Sequence, residues 1–291
     1  MRESCHPVVG ILIAGHGGPE GQDEGIHWEV MEEHSAEPRN RALAVTGVDG
    51  CAGGWVAVTL SFTGGPAVAR EAAPPTSPRP EGRPGVACAV NVSSVAVAAT
   101  LGGLPLAGVT GIDMPLGLLS AGWRDADLLA RRALGRRGVT VFAIPPRPVW
   151  ECGTYAEANR VCRALTGKGF SVQAWGLRRK IAEAEEFRRR APSLASPVQL
   201  YEVHPELAFA ALAGAPLPDS KHTPAGLAVR RELLAAAGIT LPARVPGAAA
   251  DDLLDAAAVA WSARRIAAGQ AVILAGPAQR ADDGARIAVR Y

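Results

Sequence analysis

Five carboxylates sit where an acid has little reason to be unless it does chemistry. Asp49 closes the apolar run LAVTGVDGCAGGWVAV (residues 43–58), and Asp113 closes a second run at 104–112, followed by Met114 and Pro115. Glu202 lies in the short apolar stretch 200–203, and Asp252 and Asp255 open an alanine-rich helix. A carboxylate at the end of a buried strand costs roughly several kcal/mol unless a cation or hydrogen bonds compensate it. Acidic oxygens from separate elements suit a two-metal phosphoryl-transfer site. Two hard cations about 4 Å apart would there activate water and stabilise the leaving oxygen. Oxygen-only ligands point to Mg²⁺ or Mn²⁺.

Each acid also has a plainer reading. Asp49-Gly50 is a common turn dipeptide. Asp251 is a reasonable N-cap, and Asp252 in the first turn would favour the helix dipole. Asp255 is harder to explain this way, since it lies a full turn in, amid Ala256, Ala257, Ala258 and Val259. Asp252 and Asp255 are three apart and share a helix face. His204 shares a strand face with Glu202 if the segment is extended and is an outside candidate for substrate binding, although a lone His-Pro is more often structural.

The elements that must position these acids follow from the pattern. Residues 43–58 read as two short buried strands joined by a glycine-rich turn. The Pro- and Gly-dense stretch 63–85 reads as an extended loop, residues 86–90 as a strand, and 93–101 as a helix. From residue 121 the texture is helical, interrupted at 141–150 by three prolines. Helices are expected over 155–165, 177–190, 207–212 and 223–237, the last ending at Gly238. Lys180 and Glu183, three apart, read as a surface ion pair.

The 291 residues are 48% hydrophobic, enough for a substantial core, and 5% aromatic, which disfavours stacking platforms as the main means of holding a partner. Cys5, Cys51, Cys88, Cys152 and Cys162 contain no C-x-x-C pair, arguing against a disulfide framework or a structural zinc. No apolar run is long enough for a membrane span, and no signal peptide is evident, so a cytoplasmic protein is expected. Net charge is +2 but uneven: residues 1–40 carry two basic and eight acidic side chains, residues 121–190 fifteen basic and seven acidic. The basic middle can attract phosphates, though a solvated arginine-rich helix face is the commoner cause of such a run. Residues 1–40 lack periodicity and read as an extension to a single domain at 41–291, with a largely helical insertion at about 114–200.

The ordered set GVDGCAGGWVAV, GIDMPLG, VFAIPPR, KIAEAEE, YEVHPELAF, SKHTPAG and DDLLDA resembles the family called domain of unknown function 429, described as predicted RNase H-like nucleases. The resemblance runs from about Val45 to the C-terminus. It implies an RNase H-like mixed sheet with the first three strands antiparallel, helices on both faces, a helical insertion before the last strand, and acids meeting at strand ends. The chain is also similar to Holliday-junction resolvases of that superfamily, in which a glycine–aspartate hairpin opens the fold and a DxxDA helix closes the site. On this resemblance Asp49, Asp113, Glu202, Asp252 and Asp255 are the metal-binding and catalytic candidates, and Arg147, Lys180 and Lys221 are candidate phosphate contacts.

The reading that follows is a divalent-metal-dependent nuclease acting on nucleic acid or on a phosphorylated small molecule. Two others compete with it: a non-catalytic RNase H-fold binding module, and an ATP-binding protein of the actin and sugar-kinase kind. The latter is disfavoured because only one strand–aspartate–glycine hairpin is present. Oligomeric state is not legible.

Overall fold

A computed structural model of the chain describes residues 43–63 and 89–291, together with two three-residue strands, β1 (Gly10–Leu12) and β2 (Trp28–Val30). The rest of the segment 1–40, and nearly all of the Pro-rich stretch 63–85, lie outside the described residues.

β3 (Leu43–Cys51) and β4 (Gly54–Thr63) form an antiparallel hairpin closed at Ala52 and Gly53. Branched Val45, Val48, Val56 and Val58 favour extended backbone, and their alternation divides them between two cores. Val45, Val56, Val58 and Leu60 face one core, and Val48, Trp55 and Ala57 face the other.

β5 (Ala89–Ala98) pairs antiparallel with β4, so the helix expected at 93–101 is instead a strand, followed by a single 3₁₀ turn at Leu101–Gly103. The cause is a bulge. The register jumps from Ser94 opposite Thr59 to Val92 opposite Leu60, leaving Ser93 as the extra residue, with its hydroxyl donating to the Thr59 carbonyl at 3.2 Å. The inserted residue breaks the two-residue alternation, so Val92 and Val95 pack on the same core although they are three apart.

β6 (Val109–Ile112) runs parallel to β3 on its other side, and β7 (Gln199–Glu202) runs parallel to β6. The sheet order is therefore β5-β4-β3-β6-β7, three antiparallel strands followed by two parallel ones. Between β6 and β7 come α1 (Asp125–Leu134), α2 (Arg147–Trp150), α3 (Tyr155–Thr166), α4 (Val172–Gly176) and α5 (Arg178–Arg190). After β7 come α6 (Pro205–Ala213), α7 (Pro224–Ala236) and α8 (Ala250–Ala267). α6, α7 and α8 cover one face, with Phe209, Leu234, Leu253 and Ala257 against Val56 and Val58. α5 covers the other, with Ile181, Ala184 and Phe187 against Val48, Trp55 and Ile112. A five-stranded mixed sheet with helices on both faces accords with the RNase H-like architecture that the resemblance implies.

β8 (Ile273–Leu274) and β9 (Val289–Arg290) join β1 and β2 in a second sheet of order β2-β1-β8-β9. Among the described residues no helix is long and apolar enough to cross a membrane.

Candidate functional site

The site begins with a missing side chain. Gly47 lies two residues before Asp49 on the same face of β3, and an ideal Cβ there would stand 2.0 Å from the Ala260 nitrogen and 2.2 Å from the Ala256 carbonyl oxygen of α8. Gly111 of β6 plays the same part against α8, its ideal Cβ lying 2.8 Å from a Val259 methyl. Two adjacent parallel strands thus let α8 lie directly on their backbones, which no larger residue would allow. Asp49 near the end of β3, Asp113 just past β6 and Asp255 on α8 are drawn together as a result.

One carboxylate oxygen from each of Asp49, Asp113 and Asp255 lies within 4.8 Å of the other two. Asp49 and Asp255 are buried and Asp113 partly so. The Asp49 Oδ1 accepts from the Gly50 N–H at 2.6 Å, and the Asp113 N–H donates to the Val48 carbonyl at 2.9 Å, which fixes both strand ends. Lys221 Nζ donates to Asp255 Oδ2 at 2.5 Å. The other oxygen, Asp255 Oδ1, is buried with no hydrogen-bond partner among the described residues.

The electrostatics follow from crowding. Burial, then the neighbouring charges of Asp113 and Asp255, push the Asp49 carboxyl well above the usual range. Burial and Asp255 push Asp113 up to about 8. Burial lifts Asp255 to about 6 against the pull of Lys221. Burial alone would lower Lys221, but Asp255, then Asp49 and Asp113, outweigh it and hold the ammonium firmly charged. Elsewhere the buried acids have arginine partners: Asp127 and Glu202 meet Arg124, Glu185 meets Arg147 and Arg188, and Glu206 meets Arg230 and Arg137. The three aspartates share one lysine. Oxygen donors, an unpartnered buried oxygen and three carboxyls crowded around a single lysine together fit a hard divalent cation held by Asp49, Asp113 and Asp255.

A cavity of about 470 Å³ opens over this cluster. Glu202, Asp252, Lys180, Lys221 and His204 also line it, beside apolar Met114, Phe142 and Leu177. Glu202 lies at its edge but is engaged through both oxygens, accepting from Arg124 at 2.5 Å and from the Leu116 N–H at 2.8 Å. Asp252 accepts from the Ala249 N–H at 3.3 Å, so it and not Asp251 serves the helix start, whose N-cap is Ala249. Lys180 and Glu183 do not form the expected pair. The Lys180 ammonium donates to the Cys51 carbonyl at 3.1 Å and to the Gly54 carbonyl, over the Trp55 ring. Glu183 instead accepts from Trp55 Nε1 at 3.0 Å and from the Leu101 N–H at 2.5 Å.

The structure does not bring Arg147 to the cluster. Its guanidinium is bound by Asp282 and reaches Glu185 at 3.4 Å, tying the C-terminal segment to α5. His204 presents an Nδ1 that is buried without a hydrogen-bond partner, and burial pushes its ring down to about 4. Sequence reasoning missed Arg124, 1% exposed, which neutralises Glu202 and Asp127. Its only local signal was Asp127 three residues on. Arg137, which also lines the cavity, carried no signal beyond the basic run.

Neither the curated proteins nor the solved structures compared contain a match to this chain. A family profile covers residues 47–280, spanning Gly47, all three clustered aspartates and all of the cavity lining but Val289, and the chain accordingly belongs to the family described as "Protein of unknown function (DUF429)".

Proposed function

We propose that the protein is a divalent-metal-dependent hydrolase of phosphodiester bonds, an RNase H-like nuclease in the broad sense, using Mg²⁺ or Mn²⁺. The observation that carries this reading is the convergence of Asp49, Asp113 and Asp255 oxygens within 4.8 Å beneath an open cavity. These three residues would hold the ion. A bound divalent cation supplies Lewis-acid polarisation of a phosphoryl oxygen and acidifies water enough for attack near neutral pH. The chain supplies the rest. Its strand ends and α8 fix the carboxylates before substrate arrives, which avoids reorganisation during reaction. Lys221 would offer positive charge beside the reacting phosphate, and Arg137, paired with Glu206, also lines the cavity. Met114, Phe142 and Leu177 present apolar surface where the non-phosphate part of a substrate would rest.

The test is cleavage of labelled single-stranded, duplex, branched and RNA–DNA hybrid substrates, with a dinucleotide included, in Mg²⁺ or Mn²⁺. Cleavage by wild type that Asp49→Asn abolishes supports the reading. Absence of cleavage throughout, with metal binding intact, favours a binding module that keeps the fold and its ion.

A further inference from the structure

We infer that Lys221 occupies the place of a second cation, so that the site takes one divalent ion plus an ammonium instead of two ions. The inference rests on the metal-dependent reading above and specifies how the site is charged.

The argument starts from Asp255, 1% exposed, whose two oxygens are differently engaged. Oδ2 receives Lys221 at 2.5 Å, and Oδ1 is buried without a partner among the described residues. In a two-ion site the ions stand about 3.5–4 Å apart, and a carboxylate between them gives one oxygen to each. Asp255 has the form of such a bridge with an ammonium on one side. Charge leads to the same conclusion. With an ion bound and all three aspartates ionised, one lysine leaves two negative charges, which a single divalent ion neutralises.

The acids that could complete a second ion's shell already have partners, Glu202 through both oxygens and Asp252 through one. Glu202 gives one oxygen to Arg124 and the other to the Leu116 N–H, and releasing it would leave Arg124, 1% exposed, without its closest carboxylate. Asp252 is turned back onto the Ala249 N–H at the start of α8. Lys221 is suited to a fixed post. It lies in the turn between α6 and α7, two residues before Thr223, which caps α7 through its hydroxyl at 3.1 Å from the Gly226 nitrogen. A lysine there meets the non-bridging or leaving oxygen of a phosphate as a point charge, where a second metal would otherwise stand.

The experiment is Mn²⁺ titration of the full chain, with bound ions counted calorimetrically and their coupling read by electron paramagnetic resonance. One Mn²⁺ per chain with an uncoupled six-line spectrum is expected. Two ions with a coupled spectrum would overturn this inference and leave the metal-dependent reading standing, whereas no bound ion would overturn both. Lys221→Met supplies the second arm. With the ammonium gone, Asp255 Oδ2 is freed and the site gains one negative charge, so Mn²⁺ should bind several-fold more tightly or a second, weaker ion should enter, while Lys221→Arg should keep count and affinity as in wild type. An unchanged count and affinity in folded Lys221→Met would also sink the inference.

Discussion

Gly47 and Ala260 meet backbone to backbone: a methyl group on Gly47 would fall 2.0 Å from the Ala260 nitrogen. Strand and helix approach closely enough to leave no room for a side chain at Gly47, and the contact holds Asp49 and Asp255 across from each other. Gly47→Ala should therefore push α8 away from β3. We expect a loss of about 1–3 kcal/mol in denaturant unfolding, with Mn²⁺ affinity falling at least tenfold. Gly53→Ala, where nothing lies within 4 Å, is the control and should change neither. A Gly47→Ala protein with unaltered stability and metal affinity would show that the close approach does not position the acids.

Asp113 makes stability depend on pH in a direction opposite to most salt-bridged carboxylates. Its carboxyl is raised from 3.8 to about 8 by burial and then Asp255, so between those values the folded chain holds a proton that the unfolded chain has lost. Stability from this group is full below about pH 4 and drains away as pH rises towards about 8. The difference between metal-free wild type and Asp113→Asn should therefore shift in favour of the variant with rising pH. Saturating Mg²⁺ or Mn²⁺ stands in for the proton, so it should stabilise wild type more at about pH 8 than at about pH 5 and do much less for the variant. Melting temperatures across that range, with and without metal, decide it.

Arg124 is the countercharge to buried Glu202 and Asp127, opposing the burial that still lifts Glu202 to about 7 and Asp127 above its ordinary value. It is 1% exposed and sits 2.5 Å from Glu202 and 3.4 Å from Asp127. Arg124→Met leaves those carboxylates buried without their cation and should cost about 3–5 kcal/mol. Adding Glu202→Gln removes one of the stranded charges, so the double variant should recover part of the loss in a double-mutant cycle. Equal destabilisation by the single and double variants would mean that Arg124 acts through packing alone.

Where the sequence was legible, one local feature encoded one element. The β3–β4 hairpin follows from branched residues flanking Ala52 and Gly53, and β6, which ends just before Asp113, follows from the second half of the apolar run at 104–112. The position of Asp255, one turn into α8, was likewise readable from alanine on every side. What was not legible needed partners far along the chain. β5 shows no clean alternation because Ser93 is extra, and only β4 reveals that the segment is extended. Lys180 and Glu183 have ideal spacing for a pair, yet each finds backbone or ring groups more than eighty residues away. Arg147 is claimed by Asp282, 135 residues on. Spacing describes which face a side chain is on; it does not describe what the fold brings to that face.

His204 carries the last prediction, with the opposite sign to Asp113. Its ring lines the cavity at the N-cap of α6, and its Nδ1 has no hydrogen-bond partner among the described residues. Burial pushes it from 6.5 down to about 4, against the opposing pull of Glu206 and the Thr140 backbone, with the Lys221 charge assisting. An unfolded histidine takes up its proton near pH 6.5, but the folded one refuses it until about pH 4. The unfolded state therefore binds more protons in that window, and stability falls as pH drops through it. His204→Asn cannot titrate, so relative to wild type it should gain stability as pH falls from about 6.5 to about 4 and show no pH-dependent difference above that. In metal-free wild type this slope works against the slope of the raised carboxyls below about pH 6.5, and above it the His204 contribution ends while those of Asp113 and Asp49 continue. Difference melting curves of the two single variants should bend at these separate points. A His204→Asn difference that stays flat from about pH 6.5 to about pH 4 would mean the ring is charged, or solvated, in the folded protein.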